Sequence, residues 1–371
     1  MNKNFQKKIN LENSVQINNG FRETSGDGAG LAFDSKYGIM FCAYMPGHQG
    51  CYGESRGRVS LSYFPASQPT NIKFVEIASG NDEYCNNILG LGEGKVRVFY
   101  EKNSREDNDH PVCYKDFDFL TETLSEEKTM MVLTESGECV PLTLSVVYSY
   151  LRERGYNDQT YRFCEQILIG GCTFFKGEDG YTYGAAVSYV SEVILFRSKD
   201  NLATVEFFAI FPHLAQYEFD YKIVNGTIHA IYRTTREENS IFYVSSPDMG
   251  KTWTKPVAFE GSIQCRPRII TYNNNILMSY NYFNDDTKNR PAIQQGRTSV
   301  RIVYGKEKTL VADLYSKCGI VNVALYNIMN DVYMAYSTSE LALEYQNENP
   351  MVRGKDAVRY IKLGDLIPAE E

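Results

Sequence analysis

Along the chain, apolar and polar residues alternate in short runs, and the runs come in pairs joined by Gly or Asn turns. Six pairs can be read. They are DGAGLAFDSKYGIMFCAYM from Asp27, NNILGLGEGKVRVFYEKNS from Asn86, EQILIGGCTFFKGEDGYTYGAAVSYV from Glu165, EFDYKIVNGTIHAIYRTT from Glu218, RPRIITYNNNILMSYNYF from Arg266 and GIVNVALYNIMNDVYMAYSTS from Gly319. Period-2 alternation predicts half-buried antiparallel strands, and Asp179-Gly180, Asn225-Gly226 and Asn273-Asn274-Asn275 supply the bends. Further strands follow in most units, such as RVSLSYF (58–64) with NIKFVEIA (71–78) and SIFYVSS (240–246) with PVAFEG (256–261). The openings lie roughly 50–80 residues apart, the scale of one four-stranded propeller blade. The pattern therefore predicts an all-β chain, a six-bladed β-propeller of four-stranded antiparallel blades forming a single domain over residues 1–371.

Two segments depart from this rhythm. LTLSVVYSYLRERGY (142–156) places Val146 with Tyr150 and Val147 with Leu151 on a shared face, which predicts a helical insertion after blade 2. The last unit has AVRYIKLGDL (357–366) as a third strand and little beyond, whereas FQKKINL (5–11) opens no unit. An N-terminal strand that closes the last blade accounts for both.

Composition narrows the partners. Of 371 residues, 38 are Lys or Arg and 46 are Asp or Glu, giving a net charge of −8 that argues against a nucleic-acid surface while leaving room for a local basic pocket. MNKNFQKKINLEN has no secretory apolar core and no run approaches a membrane span, so a cytoplasmic protein without membrane contact is expected. Nine Cys, at 42, 51, 85, 113, 139, 164, 172, 265 and 318, form no CxxC pair and read as reduced, mostly buried thiols. There is no HExxH or DxDxDG motif and no Cys/His cluster, so no metal and no cofactor are expected. Aromatic residues make up 13%, a bias toward strands and toward binding faces made of rings.

One motif is specific. Ser246-Pro247-Asp248-Met249-Gly250-Lys251-Thr252-Trp253 fits S-x-D-x-G-x-T-W at every fixed position and resembles the Asp box of sialidase-superfamily (BNR-repeat) propellers. Ser and Asp oxygens suit turn N–H groups, Gly suits a positive φ, and Trp suits packing between blades. Ser198-Lys199-Asp200-Asn201-Leu202-Ala203-Thr204-Val205 keeps Ser, Asp and Thr of the pattern. The resemblance implies that these boxes are structural and lie away from the active face.

In such propellers the innermost strands open on one face, together with the loops joining strands two and three. Candidate groups are sorted on that basis. Asp27, followed by Gly28-Ala29-Gly30, faces His48 and Glu54 within one unit, a set able to act as general acid and base, and Gly47 and Gly50 flank the imidazole. Glu165 and Glu218, with Asp220, are carboxylates on consecutive units of the kind glycoside hydrolysis needs in pairs. Arg266 and Arg268 alternate onto one strand face, where a guanidinium can fork onto a sugar carboxylate or onto an acid of a neighbouring blade. Asn86, Asn87 and Asn322 complete a polar rim that suits a ligand or simply water.

Sialidases hold the substrate carboxylate with three Arg and use a Tyr nucleophile paired with Glu and an Asp acid/base. Arg266 or Arg268 resembles one Arg of that set, Arg22 in Phe21-Arg22-Glu23 takes the place of the first-blade Arg without its Ile-Pro, and Arg301 reads as mid-strand. Tyr315-Ser316 is similar to the nucleophile segment. The Gly47-His48-Gln49-Gly50 loop is also similar to propeller enzymes acting on rhamnose-uronate linkages, which would make His48 the acid/base with Tyr282 assisting. The resemblance implies a glycoside hydrolase cleaving next to an acidic sugar in an oligosaccharide, with a His-dependent lyase or rhamnosidase as one alternative and a non-catalytic glycan- or protein-binding propeller as another. A homo-oligomer is compatible with either.

Overall fold

The structure is a computed structural model, and it describes residues 7–18, 30–44, 59–78, 83–102, 109, 111–156, 167–188, 191–215, 218–234, 240–283, 298–316, 319–339 and 356–366. The fold is a six-bladed β-propeller of antiparallel sheets. The chain divides into two compact units, residues 26–219 and residues 220–371 with 1–25, each carrying three blades.

In the first unit, blade 1 runs Gly30–Asp34, Ile39–Tyr44, Val59–Pro65 and Lys73–Ala78. Blade 2 runs Glu83–Gly92, Lys95–Lys102 and Val112–Asp118, with Thr123–Leu124 and Lys128–Thr129 sharing the outer position. These two blades pack face to face through Phe41, Leu61, Ile88, Val98 and Tyr100. Gly30 allows the close approach, since a Cβ there would lie 2.9 Å from the Ile88 side chain. In blade 3, Ile167–Leu168 and Phe175–Lys176 both pair with Thr182–Ser188, followed by Ser191–Ser198 and Thr204–Ala215.

The predicted insertion spans more than a helix. A hairpin, Met131–Leu133 with Cys139–Pro141, adds to the outer edge of blade 3 by parallel pairing of Met131 with Thr204. The helix Leu144–Glu153 follows, capped by Thr143, whose side chain accepts from Val146 N. It buries Leu144, Val147 and Leu151, as the i, i+4 spacing requires, and ends at Gly155 with φ 80.

In the second unit, blade 4 runs Phe219–Val224, Thr227–Arg233, Ile241–Ser246 and Val257–Ala258. Blade 5 runs Arg268–Tyr272, Asn275–Asn281, Ser299–Tyr304 and Thr309–Tyr315, and blade 6 runs Val321–Ile328, Asp331–Ser339 and Asp356–Gly364.

The N-terminal segment departs from expectation. Lys7–Asn10 pairs in parallel with Thr309–Tyr315 as a fifth strand of blade 5, and closure of blade 6 falls to Val15–Gln16, antiparallel to Asp356–Gly364. Packing explains the shift. Ile9 covers the core shared by blades 5 and 6, and the 3₁₀ turn Leu11–Asn13 buries Leu11 and redirects the chain. Ser14 Oγ then donates to Leu11 O, and the buried Ile17 donates its N–H to Val358 O.

The Ser246–Trp253 turn has the geometry its residues suggest. Gly250 N donates to Ser246 Oγ at 2.7 Å, Thr252 N donates to Asp248 Oδ1 at 2.8 Å, and Thr252 Oγ1 donates to Asp248 Oδ2 at 2.7 Å. The hydroxyl and then the amide of Thr252 hold the Asp248 carboxyl down at a pKa of about 2. Gly250 has φ 90. The degraded copy keeps the same bonds, with Leu202 N on Ser198 Oγ and Thr204 N on Asp200 Oδ1, and Asn201 and Leu202 both take positive φ.

Candidate functional site

The inner-strand openings can be followed within each unit. In the first unit, Asn87 is 4% exposed and its Nδ2 donates to Ile169 O at 2.8 Å and Cys172 O at 2.6 Å, while its Oδ1 accepts from Ile88 N. It ties blade 2 to blade 3. Asn86 precedes it in the same strand. Glu218, 8% exposed, stands just before the inner strand of blade 4. Asp27, His48, Glu54, Glu165 and Arg22 lie outside the described residues.

In the second unit, two of the predicted residues, Asp220 and Arg268, take part in a relay of ties. Asp220 is fully buried, with Oδ1 accepting from Tyr221 N at 3.0 Å and lying 3.5 Å from Lys222 Nζ. Its Oδ2 accepts from Ile269 N at 3.1 Å and lies 3.9 Å from Arg268 Nη1. Arg268 then donates through Nε to Val323 O at 2.9 Å. One carboxylate and one guanidinium thus link the inner strands of blades 4, 5 and 6. A buried charge is stable only when paired and hydrogen-bonded, and here each partner is held by backbone as well as by the opposite charge.

Register brings further groups to the same place. Arg268 pairs with Ser279 and Asn281 with Val300, so alternation sets Arg268, Ser279, Asn281 and Thr298 on the face of blade 5 that meets blade 6. Arg266 stands two residues before the strand Arg268–Tyr272. Asn281 Nδ2 donates to Ile320 O at 2.8 Å. All five are nearly excluded from solvent, the two Arg at 4% exposure and Ser279, Asn281 and Thr298 at 1%. Ser279 Oγ, Asn281 Oδ1 and Thr298 Oγ1 have no hydrogen-bond partner among the described residues. Buried polar atoms of this kind are rare, and three on one sheet face beside two guanidinium groups mark a region chemically suited to a small polar or anionic group.

Tyr282 does not join this cluster. The same alternation turns it to the blade 4 side, where its hydroxyl donates to Asp313 Oδ1 at 2.6 Å and the Arg301 guanidinium sits 3.9 Å from its ring centre. Burial, and then the hydrogen bond to Asp313, push its phenol pKa upward. Arg301 is mid-strand, as read from the sequence. Tyr315 ends the fourth strand of blade 5, ahead of the blade 6 inner strand, and is 37% exposed. Asn322 lies at the opening of the blade 6 inner strand with φ 51.

Sequence reading did not single out Ser279, Asn281, Thr298 or the Tyr282–Asp313 pair. A signal existed for the first two, because Leu277, Ser279 and Asn281 alternate opposite the Arg266–Arg268 strand and turn polar at the same end. Asp313 carries no such signal, since its partner lies 31 residues away, two strands back in the blade. Among the described cysteines, Cys42, Cys113, Cys172 and Cys265 are buried thiols and Cys139 is an exposed one.

A separate open groove of about 390 Å³ lies in the first unit between the blade 3 hairpin and the helix. Val132, Val140, Val146, Tyr150 and Phe207 form its apolar floor, and Glu135 and Glu153 flank it. Arg154 pairs with both carboxylates and stacks over Tyr150. Among the described residues, no helix is long and apolar enough to cross a membrane.

No protein-family model and no curated protein matches the sequence. Solved structures do. A protein of unknown function from Dyadobacter fermentans superposes with a TM-score of 0.62 at 13% identity, covering 95% of this chain and 98% of that one. Trypanosoma rangeli sialidase in complex with the inhibitor DANA superposes with a TM-score of 0.61 at 8% identity, covering 96% of this chain and 58% of that one. Phage phi92 endosialidase gives 0.58 at 8% identity, over 97% and 70% of the two chains. The chain thus spans little more than half the length of the Trypanosoma enzyme. At these identities the likeness is one of fold, and the chain is built as the six-bladed propeller that sialidases also use.

Proposed function

We propose that the chain is a carbohydrate-active enzyme, a glycoside hydrolase that cleaves a glycosidic bond next to an acidic sugar. The observation that carries this reading is the pair Arg266 and Arg268 at the opening of the blade 5 inner strand, backed by Ser279, Asn281 and Thr298 on the same face. A buried guanidinium is the group of choice for a carboxylate, and the neighbouring hydroxyls suit sugar oxygens. The Ser246–Trp253 turn supports kinship with Asp-box propellers. In this reading Arg266, Arg268, Asp220, Arg22, Asn86, Asn87 and Asn322 frame the substrate, some by holding the strand openings. The acid and base come from Asp27, His48, Glu54, Glu165 and Glu218, and Tyr282 acts only if substrate reaches the other face of blade 5. The runner-up chemistry is a lyase or rhamnosidase working through His48. A second reading is favoured by the helix groove, whose apolar floor and acidic flanks suit a protein partner and a non-catalytic role.

The test is mass spectrometry of sialylated and uronate-containing oligosaccharides incubated with the protein. Products summing to substrate plus water support the hydrolase. Products summing to substrate alone, with new conjugated-alkene absorbance, replace it with the lyase. Turnover that survives both His48→Ala and Arg266→Met at the wild-type rate would sink the site assignment, whichever product forms.

A further inference from the structure

The helix Leu144–Glu153 carries more apolar surface than the core takes up. Leu144, Val147 and Leu151 face inward and are buried. Val146 and Tyr150, one helical turn apart, form a second stripe that is only half-buried and lines the groove beside the blade 3 hairpin. Tyr150 meets Phe207 edge to face at 4.8 Å, and Leu133, 43% exposed, lines the groove from the hairpin. Scattered apolar residues on a surface are ordinary, whereas an apolar stripe beneath an open groove of about 390 Å³ is a surface shaped for another molecule.

Charge narrows the occupant. The lining contains two carboxylates, Glu135 and Glu153, and no Lys or Arg. The cation that serves them is Arg154, at the helix C-cap. Its guanidinium pairs with Glu135, lies 3.8 Å from Glu153 Oε2, donates to Tyr150 O at 3.1 Å and sits 3.5 Å from the centre of the Tyr150 ring. The Glu135 and Glu153 side chains nevertheless stay 83% and 72% exposed, which leaves room for a second cation. Exposed ion pairs are weak and exchange readily. An aromatic face beside two carboxylates is the seat a guanidinium prefers, and here the chain fills it from within. We propose that the groove docks a segment of a partner protein in which an Arg is flanked by apolar residues, and that Arg154 is an internal placeholder which the incoming Arg displaces. The apolar neighbours of that Arg then lie on Val146, Phe207 and Leu133. This assignment rests on the protein-partner reading of the groove given above and is independent of the hydrolase reading.

The probe is a pool of short fluorescein-labelled peptides with Arg fixed at the centre, Leu, Val or Phe at alternate positions and Ser or Gln between them. The same pool with Glu at the centre is the control. Binding is read by fluorescence anisotropy, with thermal melting to check folding. The expected result is that the wild type prefers the Arg pool by about tenfold, a preference that shrinks at high salt. Glu135→Gln with Glu153→Gln should abolish the preference. Arg154→Ala should bind the Arg pool several-fold more tightly than the wild type, an outcome that a merely structural Arg154 does not produce. Unchanged or weaker binding in Arg154→Ala at an unchanged melting temperature would overturn the placeholder. If that variant melts lower, Arg154→Gln, which keeps a donor for Tyr150 O without the charge, decides the same point. Equal binding of the two pools would leave the groove a protein site and overturn the Arg assignment, whereas binding of neither overturns the protein-partner reading as well. Competition by arginine amide as strong as by the Arg pool would replace the segment with a small organic cation.

Discussion

The tie between Asp220 and Arg268 gives the sharpest test of how the inner strands are held. Asp220→Ala removes a carboxylate with no solvent exposure and leaves Lys222 and Arg268, at 5% and 4% side-chain exposure, without it. It also strips the acceptor from Tyr221 N and Ile269 N. Each orphaned amide costs about 1–3 kcal/mol, and breaking a buried ion pair by deleting one partner costs about 3–5 kcal/mol. These terms overlap, since the same oxygens serve both roles, so the expected loss is about 3–5 kcal/mol rather than their sum. Asp220→Asn keeps one carbonyl oxygen for an amide and should lose less, about 1–3 kcal/mol. Trp253 is the single tryptophan and lies in blade 4, which makes urea unfolding by fluorescence a direct assay. The midpoint should fall in the order wild type, Asp220→Asn, Asp220→Ala at unchanged slope. In Asp220→Ala with Arg268→Met, removal of the stranded cation should return part of the loss. A loss under about 1 kcal/mol for Asp220→Ala, or a double variant whose loss equals the sum of the two singles, would refute the claim that this pair carries charge across the blades.

Two further outcomes follow from local geometry. Asp248 has its pKa lowered from 3.8 to about 2 by Thr252, so its contribution to stability is present above the ordinary Asp range and fades as pH falls through 2. The urea midpoints of wild type and Asp248→Asn should differ by a constant amount between pH 7 and 5 and converge toward pH 2, and parallel curves would show that the charge is idle. Gly184, in blade 3, has no room for a side chain, because an added Cβ would collide with Phe196 and lie 2.6 Å from Phe174. Gly184→Ala should cost about 1–3 kcal/mol by forcing this edge-to-face ring pair apart, and an unchanged melting temperature would show that the rings yield freely.

Much of the fold is legible because a blade is a local object. Alternation, a turn and a second alternating run are all contained within one stretch of sequence, and so are the oxygens and amides of the Ser246–Trp253 turn. The helix is legible for the same reason, with Val147 and Leu151 on its buried face. What escapes is anything decided between blades. The segment 5–11 reads as the strand that closes the last blade, yet Lys7–Asn10 pairs with blade 5, and only after the turn that buries Leu11 does Val15–Gln16 close blade 6. Tyr282 and Arg268 sit at the same end of one blade and look like partners in sequence, but strand parity sends them to opposite faces. Asp313 finds Tyr282 only through the pairing of the outer strands.

The same distinction bears on how the polar rim should be used as evidence of function. Asn87, Asp220 and Arg268 read as ligand groups because charge and amide at strand openings have no role within a single blade. Between blades they do, since apolar packing ends there and the exposed backbone of the next inner strand offers carbonyls at Ile169, Cys172 and Val323 and an amide at Ile269. A polar side chain that satisfies such a group joins two sheets whether or not a ligand ever binds. Loss of activity in Arg268→Ala would therefore be uninformative, as it combines a broken tie with a lost contact. Arg266 is the more discriminating position, because its substitution leaves the Ile269–Asp220 and Arg268–Val323 ties in place, and a change in binding there with stability intact would locate the ligand.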